Sequence, residues 1–116
     1  MEDNDDLRTM LKSSLEKKGH KVIEASNGRE ALNRFKPAFT DLVVTDLLMP
    51  EQDGIGLIIE LKKIKPGIMI IAISGGGKIG PSNYLDIAKT LGADAVFSKP
   101  FNLRHLISEV DKLTTE

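Results

Sequence analysis

Apolar residues recur along this chain at two alternating spacings. Leu7, Met10, Leu11 and Leu15 stand at helical intervals, with Asn4 or Asp5 as N-cap and Gly19 as a stop, and predict a helix from Leu7 to Leu15. Val22 to Ala25 reads as a short strand running into the turn pair Asn27-Gly28, and Arg29 to Phe35 as a helix closed by Pro37. The same unit then repeats. Asp41 to Thr45 reads as a strand, Ile55 to Ile64 as a helix, Ile68 to Ile73 as a strand and Tyr84 to Leu91 as a helix. Ala95 to Phe97 reads as a strand and Leu103 to Leu113 as a closing helix. Continuous apolar strands alternating with helices indicate a parallel sheet covered on both faces, so the class is doubly wound α/β with four strands and five helices.

The order of elements is unusual in one respect. Such a domain opens with a strand, whereas this sequence opens with a helix, so the sheet is expected to lack its first member. If that member belongs inside the sheet, the gap it leaves strands buried backbone groups at about 1 to 3 kcal/mol each. Two remedies are expected: closure of the Val22 strand onto the Val43 strand, or a homodimer through the region of the missing strand.

Composition narrows the function. At 116 residues, 41% hydrophobic and 28% charged, residues 1–116 make one domain with no output domain. Sixteen basic and 17 acidic residues give a net charge of −1, without the basic surplus that nucleic acid or an anionic membrane demands. There is no cysteine for a disulfide framework or thiolate metal site. No run reaches the roughly 18 apolar residues of a membrane span, and the acidic start (Glu2, Asp3, Asp5, Asp6) is no signal peptide, so a cytoplasmic protein is expected.

Function in open α/β sheets collects at the carboxyl ends of the strands. Asp46, Ser74 and Lys99 stand at three such ends, and Glu2-Asp3 precedes the first helix. Carboxylates without imidazole or thiolate suit a hard cation such as Mg²⁺. With charge so offset, Asp46 can attack a phosphoryl group, Lys99 can hold its oxygens and Ser74 can hydrogen-bond to the product.

These residues carry a family likeness. Glu2-Asp3 followed by Asp6-Leu7-Arg8, the run Asp46 to Pro50 (DLLMP) with Asp53-Gly54 after it, Ser74, and Gly92-Ala93-Asp94 leading to Lys99-Pro100-Phe101 resemble the CheY-like receiver domain of two-component response regulators. The resemblance extends over nearly the whole length. It implies the flavodoxin-like receiver fold, missing its first strand, and a phosphoacceptor with no enzymatic activity beyond its own phosphorylation and dephosphorylation. Asp46 would take the phosphoryl group from a histidine kinase or phosphotransfer protein. Asp3, Asp46 and the backbone carbonyl of Leu48 would bind Mg²⁺, with Glu2 assisting through water. Lys99 and Ser74 would act as pairing cation and switch hydroxyl, and signalling would proceed by contact with a downstream protein. The family's switch aromatic falls here on Val96, with Phe97 beside it.

Two other readings stand beside this one. One is a degenerate receiver that acts as a phosphorylation-independent interaction module. The other is a dinucleotide-binding domain, because Gly75, Gly77 and Gly80 spell G-x-G-x-x-G, with Asp94 downstream as the ribose-binding acid. His20 and His105 have no partner at ligand spacing and are expected on the solvated surface.

Overall fold

The computed structural model describes residues 5–26, 28–46, 54–74, 89–90, 92–98 and 101–114. Helix α1 runs from Asp5 to Lys17, with Asp5 and Asp6 in its first turn and Lys17 in its last, each matching the sign that the helix dipole favours. Its stop is Gly19, in the left-handed region at φ +92°. The Gly19 N–H donates to Glu16 O (3.0 Å) and the His20 N–H to Leu15 O (3.1 Å), the paired closure that this conformation allows. Helix α2, Gly28–Arg34, starts where the Glu30 carboxylate accepts from the Ser26 N–H and hydroxyl at 3.2 and 3.4 Å. Helix α3 spans Gly54–Ile64. Helix α4 spans Leu103–Thr114, and Asn102 Oδ1 caps it by accepting from the N–H groups of Arg104 and His105.

Three parallel strands, β1 (Leu42–Asp46), β2 (Met69–Ser74) and β3 (Ala95–Ser98), form a sheet in that order. The register pairs Val44 with Ile71, Asp46 with Ile73 and Ser74 with Ser98. Alternation along each strand feeds two cores. Ile70, Ala72 and Val96 meet Leu57, Ile58 and Leu61 of α3 on one face. Ile71, Ile73 and Phe97 meet Leu11 and Leu15 of α1 and Leu106, Ile107 and Val110 of α4 on the other. An apolar run with no polar alternation, as in MIIAIS, is what two covered faces require. The expected α/β class and parallel sheet are therefore present. The Tyr84 to Leu91 helix lies largely outside the described residues, although Lys89 and Thr90 are helical. No helix among the described residues is long and apolar enough to cross a membrane.

Two expectations need correction. Val22 to Ala25 is not a strand of the sheet: it runs between α1 and α2 without a ladder to any described strand. Nor does it close onto β1. A strand exists only by virtue of its neighbour, and side-chain and backbone clamps hold this segment in place of one. Glu24 takes Lys12 Nζ at 3.3 Å and Arg8 Nε at 3.6 Å on the α1 side, while Arg34 Nη1 of α2 donates to its carbonyl at 2.8 Å. The second correction concerns His20, which is half-buried and linked to Asp111 of α4 at 2.8 Å, not solvated. His105 is exposed, as expected.

Candidate functional site

The carboxyl ends of the three strands form one rim. Asp46 ends β1, Ser74 ends β2 and Ser98 ends β3, with Lys99 the next residue in sequence. Since Asp46 pairs with Ile73 and Ser74 with Ser98, the ladder fixes these three backbone positions side by side. Asp46 shares its strand face with Leu42 and Val44, the face covered by α1 and α4.

Asp46 is a carboxylate at 4% exposure, beside Thr45 at 0%. Burying a carboxylate is costly unless it is compensated, so an acid at the buried end of a strand is a functional candidate before it is a structural one. The Thr45 hydroxyl donates to the Asp46 carbonyl at 3.0 Å, fixing the backbone at this end of the strand. Asp46 thus supplies a hard oxygen donor of the kind that Mg²⁺ takes. Of the other expected site residues, Glu2, Asp3, Leu48 and Lys99 lie outside the described residues, as does the glycine loop at Gly75, Gly77 and Gly80. Ser74 is described as the last position of β2.

The switch-aromatic position is explained by the packing. Val96 joins the α2 and α3 core, whereas Phe97 points into the opposite core, where its ring stands 6.3 Å from that of Phe101 at 58°. Phe97 therefore cannot substitute for an aromatic on the Val96 face.

Asp94 has a role that sequence reasoning did not find. Its carboxylate accepts the Ile70 N–H at 2.8 Å, and its own N–H donates to the Ile70 carbonyl at 2.7 Å. The available signal was an Asp just ahead of a strand, after Gly92 at φ +110°. This placement is at the amino ends of the strands, away from the rim, so Asp94 cannot serve as the ribose-binding acid that a dinucleotide site needs at a strand's carboxyl end.

Comparison with known proteins agrees with this fold. The profile of the family described as "Response regulator receiver domain" matches residues 1–111. The receiver protein CpdR of Brucella abortus is 37% identical over 113 residues, covering 97% of this chain and 91% of that protein. The chemotaxis protein CheY of Thermotoga maritima is 36% identical over 109 residues, covering 93% and 88% respectively. Among solved structures, a response regulator receiver domain from Clostridium thermocellum superposes with a TM-score of 0.88 at 28% identity, covering 97% of this chain and 88% of that one.

Proposed function

Because this chain belongs to the response regulator receiver family, we propose that it accepts a phosphoryl group on Asp46 and signals by protein contact. The chain is a two-component signalling domain; the proposal concerns which atoms carry the signal. The observation that supports it is the position of Asp46: a buried carboxylate at the end of β1, beside the end of β2 at Ser74 and that of β3 one residue before Lys99.

In the proposed step a carboxylate oxygen of Asp46 attacks the phosphorus of a phosphohistidine on a histidine kinase or phosphotransfer protein. The P–N bond breaks, its electron pair returns to the imidazole nitrogen, and an acyl phosphate remains on Asp46. The Lys99 ammonium offsets charge on the phosphoryl oxygens, and the Ser74 hydroxyl donates a hydrogen bond to one of them once transfer is complete. Mg²⁺ would be held by Asp46, Asp3 and the Leu48 carbonyl, with Glu2 acting through water; when bound it neutralises the negative charge gathered at the rim. The reaction belongs to the cytoplasm in this reading, and its readout is altered affinity for a downstream protein.

Incubation with acetyl phosphate and Mg²⁺, followed by intact-mass measurement, tests the assignment. One phosphoryl adduct is expected on the wild type and none on Asp46→Asn. An adduct that survives the substitution moves the site elsewhere. A wild type that never labels leaves the phosphorylation-independent interaction module as the reading.

A further inference from the structure

The outward side of α1 carries a pattern that the fold of a single copy does not use. Asp6, Met10, Ser13 and Lys17 follow one another at intervals of four, three and four residues, which sets them on one stripe along the helix. All four are exposed, and the stripe lies roughly opposite the buried pair Leu11 and Leu15. Met10, the apolar member, is 44% exposed. The neighbouring acid Asp5 is paired with Arg8 at 2.6 Å, whereas Asp6 and Lys17 have no ion pair among the described residues.

Reversed end for end, this stripe complements itself. When two copies of α1 lie antiparallel about a two-fold axis with Asp6 facing the partner's Lys17, Met10 falls opposite the partner's Ser13, and the partner returns both contacts. A parallel arrangement would set acid against acid and lysine against lysine, so charge alone selects the antiparallel one. The helix dipoles agree, because antiparallel helices place each positive amino end beside a negative carboxyl end. The same face offers a seat for the apolar side chain. A cleft of about 430 Å³ runs between α1 and α4, with Ser14, Lys17, Leu103 and Ile107 in its lining. In the antiparallel pair the partner's Met10 arrives at Ser13, next to Ser14 at the edge of this cleft, and a flexible thioether suits such an irregular gap.

We propose that a second copy of this chain docks on the outer face of α1, as a two-fold antiparallel helix pair closed by Asp6 and Lys17 at both ends and by Met10 at the α1–α4 cleft. No strand of the sheet takes part. One helix face is a small contact, so the association is transient, with a dissociation constant of about 0.1 to 1 mM.

Sedimentation equilibrium of the full chain at low salt, from about 10 μM to 2 mM, tests this with charge reversals. Asp6→Lys leaves a lysine at both ends of the stripe and Lys17→Glu an acid at both, so each alone should weaken association by about tenfold or more. An equimolar mixture of the two should recover wild-type affinity, because every mixed pair again opposes acid to base at both ends. The double variant Asp6→Lys/Lys17→Glu should recover it as well. Both reversals oppose the dipole of α1, so a loss of helix stability alone would be worst in the double variant, and recovery there reads the pairing itself. Three results overturn the proposal: a wild type that stays monomeric throughout the range, single variants that associate like the wild type, or a mixture or double variant that associates no better than the single ones.

Discussion

Replacing Asp94 by alanine removes the carboxylate oxygen that accepts from the N–H of fully buried Ile70 at the start of β2. The reciprocal bond, Asp94 N–H to Ile70 O, is a main-chain contact and survives the substitution. The loss is thus a single charge-assisted hydrogen bond, and what remains is a backbone donor facing a methyl group. A buried donor left unsatisfied costs about 1 to 3 kcal/mol. Because Asp94 is itself exposed, solvent screens its charge and water can reach part of the vacated space, which sets the expectation at about 1 to 2 kcal/mol. With a urea m-value of about 2 kcal/mol per molar, the middle of the range for small domains, the midpoint should fall by roughly half to one molar with the slope unchanged. Asp94→Asn keeps an acceptor oxygen and should lose about half as much. Urea titration followed by circular dichroism reads both variants. The reasoning fails if Asp94→Ala stays within about 0.5 kcal/mol of the wild type, or if the asparagine variant is as damaged as the alanine one.

Two further substitutions probe the frame that presents the rim. Leu57, fully buried between α3 and the sheet, should cost about 2 to 5 kcal/mol as Leu57→Ala, and thermal unfolding should show a correspondingly lower midpoint. Gly92→Ala adds a Cβ at φ +110° and 3.1 Å from Lys62 Cε; a loss of about 1 to 2 kcal/mol is expected from the backbone term, and a chemical denaturation curve checks it.

The helices and buried strands were legible because their signals are local. The apolar runs DLVVT and IMIIAI need only two covered faces to be strands, and β1 and β2 differ from those readings by a single residue at each end. Leu7, Leu11 and Leu15 mark the inward stripe of α1 by spacing alone, whereas Met10, read with them, is 44% exposed. The misses are non-local. Val22 to Ala25 has strand-like residues, but a strand requires a neighbour, and no described strand supplies one. His20 has a partner 91 positions away, beyond any periodicity. Of the candidate site, Asp46 and Ser74 were legible as strand ends because Asp46 is the first charged residue after LVVT and Ser74 the first polar one after IMIIAI. The opposite faces taken by Val96 and Phe97 follow from strand alternation, but which layer each meets emerges only once the helices are packed.

The central claim is that Asp46 itself bears the phosphoryl group. Borohydride reduces an aspartyl acyl phosphate to homoserine and leaves free carboxylates untouched, so treatment of the acetyl phosphate-loaded protein, then proteolysis and peptide mass mapping, locates the group directly. Homoserine at position 46, absent when Mg²⁺ is chelated beforehand, is the predicted result. Homoserine at Asp53, Asp94 or any other acid, with residue 46 unchanged, would contradict the account.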